Sequence, residues 1–86
     1  MSLSKIREKI DCIDREILEK LNERMQLALQ TGKFKLQISD RQREMQILER
    51  IRKYSMLLPL IESDFAERIF SEFIKESHRL QGEEEQ

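Results

Sequence analysis

The chain contains few of the residues that interrupt or cross-link secondary structure. It has one proline, two glycines and one cysteine among its 86 residues, and it has no tryptophan. The single cysteine, Cys12, excludes an intrachain disulfide and fits a reducing compartment such as the cytoplasm. We expect it to be a small packed residue. No apolar run approaches the roughly 20 residues that a membrane-spanning helix needs. A chain with so few turn-forming residues favours long helices.

Neither sign of charge dominates the composition. The 16 basic and 17 acidic side chains leave a formal net charge of -1. This balance lacks the basic excess that is typical of nucleic-acid-binding proteins. The length predicts one domain over residues 1–86, in which residues 1–3 are a candidate leader and residues 82–86 are an acidic tail.

An apolar stripe with alternating three- and four-residue spacing predicts a long first helix. The stripe consists of Leu3, Ile6, Ile10, Ile13, Ile17, Leu21, Met25 and Ala28. Continued through Lys35, this helix has about 33 residues and a length of roughly 50 Å. Because that length exceeds the diameter of a compact domain of this size, the helix needs a partner along much of its length.

A second helix is predicted from about Asp40 to Ser55. Ser39 is its expected N-cap, and Gln42, three residues later, completes a capping-box pattern. The run before Pro59 ends the helix, since a residue that precedes proline avoids helical geometry.

A third helix is predicted to start between residues 59 and 64, with Ser63 or Asp64 as a candidate cap, and to stop near Gly82. Its apolar face consists of Phe65, Ile69, Phe70, Phe73 and Ile74.

The spacing of polar residues is compatible with a site for a small anionic ligand. Arg24 and Lys35 differ by only about 20° around a helix. Arg7 lies about 25 Å from Arg24 along the same axis, so one small ligand cannot touch both arginines of one chain. It can touch Arg7 of one protomer and Arg24 of another. Ser77 and Gln81 share a face of the third helix.

A second polar cluster lies at the start of the second helix. It consists of Asp40, Arg43 and Glu44. These residues also have structural explanations. Arg7 and Arg24 fit ordinary surface arginines, and the acidic pair fits the positive end of a helix dipole. Lys35 fits the negative end of the first helix. For His78 we expect a structural or exposed position.

Five fragments occur in an informative order. They are IREKIDCID at residues 6–14, LNERM at 21–25, GKFK at 32–35, DRQRE at 40–44 and ESHRLQ at 76–81. Over residues 3–81 the chain resembles the all-helical chorismate mutases (AroQ class). Their patterns I-R-x-x-I-D-x-I-D, L-x-x-R, G-x-x-K, D-x-x-R-E and S-x-x-x-Q follow in the same order. The connection from Lys35 to Asp40 is shorter than in several relatives, which predicts a different loop over the site.

The resemblance implies an all-α fold with three helices per protomer and a long first helix in an intertwined homodimer. It implies a cytoplasmic enzyme of phenylalanine and tyrosine biosynthesis that rearranges chorismate to prephenate with no cofactor or metal. The implied partners are the substrate and a second copy of the chain, with no nucleic acid and no membrane.

The resemblance also implies a role for each site residue. Arg24 and the partner's Arg7 grip the substrate carboxylates, and Lys35 and Gln81 donate to the ether oxygen. Glu44 accepts from the substrate hydroxyl. The further substrate-binding residues are Asp40, Arg43 and Ser77.

Three alternatives remain open at this point. An isochorismate-pyruvate lyase uses the same fold with a similar cage of arginine and lysine. Glu44 and the complete D-x-x-R-E run favour the mutase over this lyase. The second alternative is a non-catalytic regulatory or scaffolding dimer, and the third is an antiparallel coiled-coil interaction module.

Overall fold

The computed structural model describes residues 2–34 and 40–82, and within these ranges it is all-α, as the sequence predicts. Its three helices are α1 (Leu3–Thr31), α2 (Arg41–Ser55) and α3 (Ser63–Leu80). None of these described helices is long and apolar enough to cross a membrane.

Helix α1 is long but ends earlier than predicted. It begins at Leu3, where the Ser2 side chain accepts a hydrogen bond from the Lys5 backbone N–H at 3.2 Å. Its 29 residues span about 43 Å. The predicted continuation through Lys35 is wrong, because the helix ends at Thr31 and a turn follows at Gly32. Lys35 itself lies outside the described residues.

Helix α2 has Asp40 as its N-cap, one residue after the predicted cap. The Asp40 carboxylate accepts from the Arg43 backbone N–H at 3.0 Å, which satisfies one of the unpaired donors of the first turn. Ser39 lies outside the described residues. The predicted end at Ser55 is confirmed. Ser55 is buried, and its hydroxyl lies 3.1 Å from that of Ser63 at the start of α3.

Helix α3 starts at Ser63, and its N-cap residue Glu62 makes no side-chain cap bond. The predicted cap at Ser63 or Asp64 is therefore wrong, since Ser63 contacts Ser55 and Asp64 accepts from Arg52 at 3.0 Å. The predicted stop near Gly82 is confirmed. The helix ends at Leu80, and Gly82 has φ +84°, a left-handed conformation that glycine adopts without a steric penalty.

Helices α2 and α3 form an antiparallel pair. Ser55 at the end of α2 contacts Ser63 at the start of α3, and Glu44 at the start of α2 contacts His78 at the end of α3. Helix α1 packs on α3 through its C-terminal half, where Met25 is buried.

The chain is elongated because the N-terminal half of α1 projects beyond the α2–α3 pair. Its Cα radius of gyration is 15.8 Å, whereas a compact domain of this length has a radius of about 12 Å. The only buried apolar side chains among the described residues are Met25, Ala66 and Ile74.

The apolar stripe of α1 is exposed along this projecting half. Ile10 is 50% exposed, and Ile13 and Ile17 are each 54% exposed. Cys12 is also exposed, so the prediction that it is packed is wrong. The reason is that no other described helix covers this part of α1.

Candidate functional site

A cavity of about 640 Å³ lies between the C-terminal half of α1, the N-terminal half of α2 and the C-terminal half of α3. Six of the eight predicted site residues line it: Arg24, Asp40, Arg43, Glu44, Ser77 and Gln81. The cavity also has an apolar wall that includes Leu27, Ile47 and Ile74. Three helices that are separate in sequence therefore bring the predicted polar residues to one place.

Arg24 is held in the cavity wall by Ser77. An Nη1 proton of Arg24 is donated to the Ser77 hydroxyl at 3.3 Å, and that hydroxyl lies 2.9 Å from the Phe73 carbonyl oxygen, to which it donates. Ser77 is buried, so this pair of bonds accounts for its hydroxyl inside the packed contact between α1 and α3. Ser77 thus orients the guanidinium.

A second cation reinforces the positive charge around Arg24. Burial lowers the pKa of Arg24 from its ordinary value, and the nearby Arg43 guanidinium lowers it further. Both effects oppose the charged form of Arg24. In the described part of the chain no carboxylate lies within ion-pair distance of Arg24. An anion that binds between the two guanidinium groups would relieve both effects.

Gln81 is the C-cap residue of α3, and it lines the cavity. Its Nε2 donates to the Ala28 carbonyl oxygen of α1 at 2.6 Å. A side-chain amide nitrogen carries two protons, so this bond leaves a second donor for a ligand in the cavity. The anchored amide therefore presents a donor that needs no protonation.

Glu44 contacts a residue for which the sequence predicted only a structural or exposed position. Its Oε1 lies 3.1 Å from Nε2 of His78, and both side chains are mostly buried. Helical spacing contained a signal for His78, because Ile74, Ser77, His78 and Gln81 follow at intervals of three and four on one face of α3. All four residues line the cavity.

The structure does not bring Arg7 to the cavity of its own chain. Arg7 is exposed on the projecting half of α1 and does not line it. Because α1 is one uninterrupted helix, Arg7 remains about 25 Å from Arg24 of its own chain. Lys35 lies outside the described residues.

The described charges of the cavity wall are balanced. Arg24 and Arg43 carry positive charge, and Asp40 and Glu44 carry negative charge. A dicarboxylate would need further cations for its charge to be neutralised. Within residues 2–34 and 40–82 no group of three or more His, Cys, Asp or Glu side chains is arranged to hold a metal ion.

Comparison with known proteins identifies one family. The family model described as chorismate mutase type II matches residues 6–82. Searches against curated proteins and against solved structures gave no significant match. The matched range contains α1 from Ile6 onward, the whole of α2 and α3, and every described residue of the cavity wall.

Proposed function

The chain belongs to the chorismate mutase type II family, and we propose that it catalyses the rearrangement of chorismate to prephenate. The observation that carries this proposal is the convergence of Arg24, Arg43, Glu44 and Gln81 on one cavity. Chorismate has two carboxylates, a hydroxyl and an enolpyruvyl ether. The cavity offers cations for the carboxylates, an acceptor for the hydroxyl and an amide donor for the ether.

The reaction needs orientation and electrostatic stabilisation from the protein. It is a unimolecular rearrangement in which the C–O bond of the ether breaks as a C–C bond forms. Holding the compact conformer lowers the entropic part of the barrier. Donors aimed at the ether oxygen stabilise the negative charge that develops there. We assign Gln81 and Lys35 as these donors, and we assign Glu44 as the acceptor of a hydrogen bond from the substrate hydroxyl.

The carboxylates are assigned to arginines on two chains. Arg24 is oriented by Ser77, and its planar guanidinium suits a bidentate bond to a carboxylate. Arg43 of α2 lines the same cavity. The partner's Arg7 supplies the cation for the other carboxylate. The described charges of the cavity wall cancel, so a dicarboxylate requires two further positive charges. Lys35 and the partner's Arg7 supply them.

A homodimer is part of this proposal. The exposed stripe on α1 gives a second copy a long apolar surface on which to pack, and large exposed apolar patches mark interaction sites. Packing there covers the projecting half of α1 and carries Arg7 to the other protomer's cavity. We propose that the two protomers are intertwined through their α1 helices.

The dimer predicts a strong effect of charge in the stripe. Ile10→Glu is expected to shift the protein from dimer to monomer in analytical ultracentrifugation, and mutase activity is expected to fall with it. The reason is that an unpaired carboxylate is costly to bury in an apolar interface. Arg15→Glu is the matched control, because Arg15 lies about 140° around the helix from Ile10. An Ile10→Glu dimer of unchanged affinity would contradict the arrangement.

The role of Gln81 predicts a change in pH dependence. Gln81→Glu is expected to lose at least about tenfold in kcat at neutral pH, because a carboxylate cannot donate to the ether oxygen. Activity should recover as the pH falls through the pKa of the new carboxyl, which is ordinarily about 4.3 and is raised by the facing Ala28 carbonyl. Gln81→Leu has no donor at any pH and should show no recovery. A pH profile of Gln81→Glu that matches the parent enzyme would remove Gln81 from this role.

A parallel assay separates the mutase from the lyase of the same fold. Purified protein is incubated with chorismate or with isochorismate, and prephenate and pyruvate are measured by chromatography. The proposal predicts prephenate from chorismate and little pyruvate from isochorismate. Pyruvate release from isochorismate as the dominant reaction would identify the lyase, and no reaction with either substrate would favour the scaffolding dimer.

The cellular setting is also proposed. Prephenate is a precursor of phenylalanine and tyrosine, so we assign the enzyme to their biosynthesis. The exposed thiol of Cys12 suits a reducing compartment, and we therefore propose the cytoplasm.

A further inference from the structure

The contact between His78 and Glu44 connects two walls of the cavity. Nε2 of His78 at the end of α3 lies 3.1 Å from Oε1 of Glu44 at the start of α2. The exposed fractions of the two side chains are 21% and 23%, so the contact is sheltered from bulk water. Both residues line the cavity, so the contact lies within the site.

One carboxylate oxygen is sufficient for this contact. A carboxylate accepts through two oxygens, so a contact between Nε2 and Oε1 leaves Oε2 able to accept from a ligand hydroxyl. The imidazole can donate from Nε2 in its neutral form and in its charged form. A glutamate on a flexible side chain otherwise loses rotamer freedom when it binds a ligand. Fixing the carboxylate before substrate arrives removes part of that cost.

We propose that His78 is a positioning residue that holds Glu44 through Oε1 so that Oε2 accepts from the substrate hydroxyl. The inference rests on the proposed mutase function, because it assigns a partner to the residue that binds the hydroxyl. His78 acts through Glu44 and makes no bond to the reacting atoms. Arg24 and Arg43 line the same cavity, and Arg24 is the residue assigned to a substrate carboxylate.

A double-mutant cycle on the full-length protein tests this coupling with chorismate as the substrate. His78→Leu alone is expected to lower kcat/KM by about tenfold, the size of one hydrogen bond to a charged group. In the Glu44→Ala background the same change is expected to have less than about a twofold effect, because the group it positions is gone. Equal effects in both backgrounds would show a general packing role and would overturn the inference.

A pair of polar variants separates positioning from packing even if the leucine variant fails to fold. The amide nitrogen of His78→Gln can take the place of Nε2, and this variant is expected to retain most of the activity. His78→Asn has the same chemistry on a side chain too short to reach Oε1, and it is expected to behave like His78→Leu. Equal kcat/KM values for the Gln and Asn variants, with equal thermal stability, would overturn the inference.

The parent protein keeps the two proposals distinguishable. If the parent turns over chorismate and His78→Leu turns it over equally well, only the role of His78 fails. If a folded parent protein does not turn over chorismate, the mutase proposal fails and takes the role of His78 with it.

Discussion

Replacing Arg24 with alanine is expected to lower kcat/KM for chorismate by roughly 10²–10³-fold, the cost of removing one preorganised electrostatic donor. The guanidinium is partly buried, bonded to the Ser77 hydroxyl and close to Arg43. Burial first and Arg43 second lower its pKa, which means that the folded protein holds this charge in an unfavourable environment. A bound carboxylate compensates for this unfavourable environment of the Arg24 charge. Arg24→Ala should therefore weaken both substrate binding and transition-state stabilisation.

Arg24→Lys and Arg50→Ala are the matched controls for this result. Arg24→Lys keeps the charge but loses the planar pair of donors, so its activity should fall between those of the parent and Arg24→Ala. Arg50 is exposed on α2 outside the cavity, and its replacement should leave turnover near the parent value. Steady-state assays and thermal unfolding of each variant provide the comparison. An active Arg24→Ala enzyme would contradict the assignment of this cavity as the substrate site.

Mixing two inactive variants is expected to restore activity if each site is built from two chains. In the proposed dimer, Arg24 of one protomer and the partner's Arg7 bind the same substrate. Arg7→Ala and Arg24→Ala should therefore each be nearly inactive alone. A heterodimer of the two variants has one site with both arginines, and equal random mixing should give about a quarter of the parent activity per chain.

The control mixture is Arg24→Ala with Lys35→Ala. Both residues are assigned to the same chain's site, so every site in that heterodimer lacks one of them and activity should not recover. Co-expression with two affinity tags allows the heterodimer to be isolated and assayed. Recovery in the control but not in the test mixture would show that the residues are divided between the chains in another way.

Local sequence patterns predicted the helices because helical periodicity is a property of short segments. The apolar stripes predicted α1 and α3, the run before Pro59 predicted the end of α2, and Gly82 predicted the end of α3. The misplaced features lie at helix ends, where single side-chain bonds decide the boundary. Asp40 caps α2 by bonding to Arg43, and Thr31 ends α1 before a turn at Gly32.

The contacts within the cavity could not be predicted from the sequence, because they depend on how three helices pack. Spacing places Ser77 and His78 on one face of α3, but it does not say that Ser77 meets Arg24 or that His78 meets Glu44. Cys12 lies about 160° around α1 from Ile10, on the face opposite the apolar stripe, and it is exposed. The stripe predicts a buried face without saying which chain buries it. The dimer thus remains a prediction that the exposed α1 stripe supports.

The most direct test of the account is the loss of chorismate absorbance on addition of purified protein, with the product identified and Lys35→Ala assayed beside the parent. The proposed mutase function predicts saturable conversion in which one prephenate appears for each chorismate consumed, and the proposed role of Lys35 predicts that Lys35→Ala abolishes it. A folded parent dimer that leaves chorismate unchanged would contradict the mutase function, and a Lys35→Ala protein with full activity would contradict the electrostatic mechanism.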